Sequence, residues 1–170
     1  MMNIVLFEPE IPYNTGAIGR TCVATNTKLH LIRPYGFRIN DRELKRAGLD
    51  YWHKLNLKEY NNYQDFINQN SELFAGRDQK LWYATTKARK TYADVSYGPD
   101  DYIMFGKETA GIPEEILISN PSACIRIPMF RDERSLNLSN SVSIILYEAL
   151  RQNGFAGMEK EGELHRLSWD

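Results

Sequence analysis

Apolar positions along this 170-residue chain fall into short solid runs separated by longer stretches with helical spacing. Solid runs of four to six residues suit strands buried on both faces, whereas recurrence at i, i+3, i+4 suits a helix with one face on a core. The pattern predicts strands at Asn3–Glu8, Leu29–Ile32, Leu81–Thr85, Tyr102–Phe105 and Cys124–Ile127. Helices are predicted over Asn14–Thr25, with Ile18, Cys22 and Val23 on one stripe, Asp41–Ala47 (ended by Gly48), Tyr63–Asn68 and Glu114–Ile118. The last helix runs from Ser139 to Gln152, where Val142, Ile145, Leu146, Ala149 and Leu150 keep the helical period until Gly154 stops it. Strands alternating with helices imply an α/β fold around a mainly parallel sheet flanked by helices. No internal repeat, low-complexity tract or linker interrupts it, so one domain is expected.

Composition narrows the class. With 42% hydrophobic and 25% charged residues the chain reads as a soluble globular protein. No apolar run approaches the roughly 20 residues of a membrane helix, and the start Met1-Met-Asn-Ile-Val-Leu-Phe-Glu8 has no signal-peptide character. Cys22 and Cys124 sit inside apolar segments, which favours buried thiols over a disulfide, and a cytoplasmic location is expected. His30, His53 and His165 have no metal-ligand spacing, so no metal is expected.

The net charge of −1 conceals an asymmetry. Between Lys28 and Lys58 lie eight Lys/Arg, among them Arg33, Arg42, Lys45 and Arg46, against three acids, with Tyr35, Phe37, Tyr51 and Trp52 interleaved. Such a mixture suits a phosphate backbone and unstacked bases, and equally an ordinary solvated surface.

Familiar nucleotide and hydrolase motifs are missing. The turn after the first strand lacks G-x-G-x-x-G, Gly106-Lys107 is followed by Glu108 where a P-loop has Ser or Thr, and neither G-x-S-x-G nor H-E-x-x-H occurs. Three polar loops remain, each after a predicted strand, where α/β sheets gather ligands. The first, Asn14-Thr-Gly-Ala-Ile-Gly-Arg20, could be a helix capped by Asn14 with a surface Arg. The second, Phe105-Gly-Lys-Glu108-Thr-Ala-Gly-Ile-Pro113, could be a turn before a short helix, or a backbone brought close to a ligand by its glycines. The third, Ser135–Asn140, could be an elaborate helix cap, although with Arg131 and Arg134 before it the loop carries more hydrogen-bonding side chains than a plain connection needs.

Taken together in this order, the three loops resemble the SPOUT superfamily of RNA methyltransferases. Asn14, Gly16 and Arg20 match N-x-G-x-x-x-R. Phe105, Gly106, Glu108, Gly111, Ile112 and Pro113 match F-G-x-E-x-x-G-[IL]-P. Ile127-Pro-Met129 with Ser135-Leu-Asn137 and Ser139 match the third motif. Asn140, the opening Asn3–Pro12 and Arg46–Tyr51 are similar to the small members of its tRNA ribose 2′-O-methylating branch, which act on cytidine or uridine at the anticodon wobble position. The likeness spans residues 1–154, a single methyltransferase domain, and leaves 155–170 as a tail.

The resemblance implies a deep C-terminal trefoil knot, a homodimer, tRNA as substrate and S-adenosylmethionine as methyl donor. It implies that the backbones around Ala84, Gly106 and Ile127 surround the adenosine, with Ser135, Leu136 and Asn140 closing over the rest. In the family Arg20 is the residue held to activate the 2′-hydroxyl. An Arg stays protonated in proteins, so its expected part is to pin a phosphate and stabilise alkoxide charge, in its own or its partner's pocket. Asn14 is expected to position Arg20 or the ribose, Glu108 to hold Arg20 or order its loop, and Asn137 to join them. The stretch Arg33–Lys58 is expected to grip tRNA, and Tyr147 either touches a base or lines a helix interface. Methylation of another nucleotide, such as a guanosine in tRNA or rRNA, and a non-catalytic RNA-binding module stay open as alternatives.

Overall fold

A computed structural model describes residues 1–37, 52–75 and 80–169. Its spine is β1 (Asn3–Phe7), buried along its whole length, as a solid apolar run at the centre of a parallel sheet should be. Ile4 and Leu6 turn to one face and Val5 and Phe7 to the other, seeding two separate cores.

Six further strands follow: β2 (Lys28–Ile32), β3 (Leu57–Tyr60), β4 (Leu81–Ala84), β5 (Lys90–Thr91), β6 (Tyr102–Phe105) and β7 (Cys124–Arg126). They form one sheet in the order β3-β2-β1-β6-β4-β7-β5, with every neighbouring pair parallel. The helices are α1 (Pro12–Ala24), α2 (Tyr63–Gln69), α3 (Glu114–Ile118) and α4 (Leu138–Gln152). Helices α1 and α4 cover one face, where Ile18, Cys22, Val142, Ile145, Leu146 and Ala149 meet Leu29, Leu31 and Ile103. On the other face Phe66 of α2 and Leu117 of α3 pack with Tyr60, Tyr83 and Met104. Beyond Gln152 the described chain carries only turns and bends, and no described helix is long and apolar enough to cross a membrane.

The five expected strands and the helices at 63–68, 114–118 and 139–152 are present, with ends shifted by a residue or so. Strands β3 and β5 were not expected. Leu57-Lys-Glu-Tyr60 carries two charges in four residues because it is an edge strand, where charge protects the open hydrogen bonds. The two-residue β5 is too short to leave a pattern. The expected helix Asp41–Ala47 lies outside the described residues.

The first helix needs a correction: Asn14 is not its N-cap. The helix begins at Pro12, whose ring presets the backbone at the first helical position, and its cap residue Ile11 offers no side-chain bond. Asn14 thus sits inside the first turn, 3% exposed, with its amide free to reach across the molecule.

Both cysteines are free and buried, and burial pushes the Cys22 thiol up to about 12. His30, in the middle of β2, is wholly buried between the Tyr60 hydroxyl at 2.7 Å and Asn3 Oδ1 at 3.1 Å. Burial, with Lys28 and Lys58 nearby, holds it down to about 3, so it is a neutral core histidine.

Candidate active site

Because every neighbouring strand pair is parallel, the loops leaving β1, β4, β6 and β7 all emerge at the same edge of the sheet. They enclose a cavity of about 600 Å³, within the range of small-molecule sites.

The loop after β6 is shaped by its own glycines. A Cβ on Gly106 would lie 2.3 Å from Gly111 C and Ile112 N, so only glycine lets the loop fold back this tightly. Gly111 sits at φ +71°, in the left-handed region that glycine occupies without strain. The close approach is to the loop's own backbone, and it turns the 106–111 peptides into cavity wall.

That fold-back presents Glu108 to the start of α1. Its carboxylate accepts the Glu10 N–H at 2.9 Å, the Ile11 N–H at 3.2 Å and Asn14 Nδ2 at 3.0 Å. In return the Glu10 carboxylate accepts the Thr109 N–H at 3.0 Å and hydroxyl at 2.8 Å, which keeps Glu10 below the usual carboxylate range. Beside this clasp Lys107 Nζ meets Glu8 Oε2 at 2.7 Å, and that bond raises the lysine's pKa. Glu8 holds a left-handed φ of 47°, unusual for a residue with a side chain.

The third loop joins through Asn137. Its Nδ2 donates to Asn14 Oδ1 at 3.1 Å, while its Oδ1 caps α4 by accepting the Ser139 N–H at 2.9 Å and the Asn140 N–H at 3.3 Å. One hydrogen-bonded line, Glu108–Asn14–Asn137, therefore ties all three sequence motifs together. With these bonds made, the three side chains hold the loops in place.

Eight of the ten expected catalytic and cofactor residues line the cavity: Asn14, Glu108, Asn137, Ala84, Gly106, Ile127, Ser135 and Leu136. Arg20 and Asn140 do not. Six residues along a helix advance about 9 Å and turn about 240°, so Arg20, exposed on α1, leaves the wall that Asn14 belongs to. Asn140 is exposed in the first turn of α4 and gives the site its backbone N–H through Asn137.

Of the expected RNA contacts, the two described ones, Arg33 and Tyr147, do not line the cavity. Arg33 is exposed, paired with Glu59 at 2.5 Å and stacked over Tyr35 at 5.2 Å. Tyr147 is 44% exposed on α4, and Arg42, Lys45 and Arg46 lie outside the described residues.

Sequence reasoning missed Glu8 and Glu10, whose partners are about a hundred positions away, and the wall residues Thr85–Lys87, Ser141 and Ile145. Two threonines directly after a buried strand were the available signal for the 85–87 segment.

The walls combine apolar side chains (Ile125, Ile127, Leu138, Ile145) with the exposed peptide edges of the 106–111 loop. Such walls suit a flat, largely neutral heterocycle such as adenine. Among the described residues no cluster of His, Cys, Asp or Glu could hold a metal.

Comparison with known proteins places this geometry in a lineage. A Yersinia pestis protein named tRNA (cytidine(34)-2′-O)-methyltransferase is 49% identical over 158 residues, covering 92% of this chain and 97% of its own. A solved structure described as giving insight into 2′-OH methylation of C/U34 on tRNA superposes with a TM-score of 0.81 at 37% identity, covering 91% of this chain and 97% of that one. An AdoMet-bound rRNA methyltransferase from Sinorhizobium meliloti superposes at 0.74 with 26% identity, covering 88% of this chain and 56% of that one. A family model described as the SpoU rRNA Methylase family matches residues 1–147. The chain belongs to the SpoU methylase family.

Proposed function

We propose that this protein methylates the ribose 2′-hydroxyl of the cytidine or uridine at the wobble position of tRNA, using S-adenosylmethionine. The observation that carries the reading is the Glu108–Asn14–Asn137 line, which gathers three family motifs around a single cavity. Wobble specificity is supported by the nearly full-length likeness to tRNA (cytidine(34)-2′-O)-methyltransferases.

The bound cofactor would supply an electrophilic methyl group on a sulfonium. The 106–111 peptides, with Ala84 and Ile127, would hold its adenosine, and Ser135 and Leu136 would cover the remainder. Holding the hydroxyl in line with that methyl is the protein's main task, since positioning can remove about 7–11 kcal/mol of the barrier to such a displacement. Arg20 would grip an RNA phosphate and stabilise negative charge on the 2′-oxygen, the proton passing to phosphate or water. Its exposed place on α1, off the cavity wall, supports action in the cavity of a second copy within a homodimer.

We also propose that the chain is knotted, in a catalytic domain of residues 1–154 that leaves 155–170 as a tail. Strand β7 lies between β4 and β5, which are joined by only the five residues 85–89. Ile125 pairs with Ala84 on one side and with Lys90 on the other, and Thr85 N–H donates to Ile125 O at 2.9 Å. A short link arching over a strand that arrives later in the chain is what threading requires.

We place the protein in the cytosol, a location that a tRNA substrate supports. Nucleoside mass spectrometry of tRNA from a deletion strain tests the function. Loss of 2′-O-methylcytidine or 2′-O-methyluridine at the wobble position is expected, while loss of a methylated guanosine in tRNA or rRNA overturns the substrate assignment.

A further inference from the structure

The loop between β7 and α4, which supplies part of the cavity wall, also carries an aromatic side chain that none of the site's hydrogen bonds involve. Phe130 is 92% exposed, the highest value among the exposed large apolar residues described. Its neighbour Met129 and, four positions on, Arg134 both line the cavity. The ring does not sit on a loose end, because the Glu133 N–H donates to Phe130 O at 3.1 Å and closes a turn. Arg131 and Arg134 are exposed, and among the described residues neither makes a salt bridge.

We propose that Phe130 is a stacking platform for a nucleobase of the substrate RNA next to the methylated nucleotide, with Arg131 and Arg134 holding the flanking phosphates. The inference rests on the RNA-methylating function above and deepens it. A ribose hydroxyl enters the cavity only if its nucleotide is drawn out of the loop's stack, which strips a neighbouring base of its partner. An aromatic ring on the loop that walls the cavity would replace that lost stacking whatever the base, because every base has a π-face. A protein partner would need a broad apolar patch, whereas positions 131–134 after Phe130 are all charged, Arg-Asp-Glu-Arg. Single ring plus guanidinium is the chemistry of an unstacked nucleotide.

The test uses an anticodon stem-loop RNA with 2-aminopurine beside the target nucleotide, since that base loses fluorescence when it stacks. In free RNA the probe is already quenched by its stacked neighbour, and wild-type protein should keep it quenched in the complex. Phe130→Ala should abolish the quench and raise KM for RNA about tenfold or more, with S-adenosylmethionine affinity unchanged. Phe130→Trp should restore both. An alanine variant with the same quench and a KM within twofold of wild type overturns the proposal. So does a change in its molar mass by light scattering, which would make the ring a contact between protein copies. Wild-type protein that methylates no RNA defeats the enzymatic reading and this inference together, whereas methylation indifferent to residue 130 defeats this inference alone.

Discussion

Asn137 Nδ2 donates a hydrogen bond to Asn14 Oδ1 over 3.1 Å, joining positions 123 apart in the chain. Each amide has a second duty: Asn14 Nδ2 serves Glu108, and Asn137 Oδ1 caps α4. Removing either side chain therefore strands polar groups on two elements at once. Asn137→Ala should cost about 1–2 kcal/mol through lost capping and an unpaired Asn14 carbonyl, read as a lowered midpoint in urea. It should weaken S-adenosylmethionine binding in the same protein by calorimetry. Unchanged cofactor affinity would show that the line does not shape the cavity.

The two glycines of the second loop should fail differently. Gly106→Ala puts a Cβ within 2.3 Å of backbone, which no rotamer can relieve, so the loop must open. A loss of about 1–3 kcal/mol or more is expected, with cofactor binding abolished. At Gly111 space is open and only the positive φ resists, so Gly111→Ala should cost about 1–2 kcal/mol and retain binding. Comparing the two by thermal melting and calorimetry separates crowding from conformational strain.

The continuous runs at β1 and β6 and the spacing of α4 revealed the parallel sheet because both its faces are covered. Edge strands β3 and β5 stayed hidden, one by its charges and the other by its brevity. The site was legible as three motifs, but not as a mutual clasp. Glu8 with Lys107, and Glu10 with Thr109, are pairings 99 positions apart that no local pattern encodes. Asn14 misled because its type and place suit a cap, while Pro12 had already begun the helix. Arg20 matches its motif in sequence, yet helical geometry turns it off the cavity wall, a fact visible only once the helix is placed.

His30 should make stability depend on acidity. Its folded-state pKa, near 3, lies below the ordinary value of 6.5, so the unfolded chain binds its proton first. The contribution is complete above about pH 6.5 and is lost as pH falls towards 3, at about 1.4 kcal/mol per pH unit. Between pH 6.5 and 5, before most carboxylates titrate, His30→Gln should flatten the slope of unfolding free energy. An equal slope in both proteins would mean that His30 takes up its proton as readily in the fold as in the unfolded chain.

Arg20→Lys keeps the charge and loses the planar fork. Turnover should collapse by two orders of magnitude or more while S-adenosylmethionine still binds. Mixing an Arg20→Ala chain with a Gly106→Ala chain should recover activity if the guanidinium serves its partner's cavity. No recovery on mixing would return Arg20 to its own chain.

The enzymatic assignment stands or falls on one assay: purified protein, methyl-labelled S-adenosylmethionine and bulk tRNA, followed by mapping of the labelled nucleotide. The account predicts label on the ribose of a wobble cytidine or uridine. Label on a base, on a guanosine ribose, or on no nucleotide at all contradicts it.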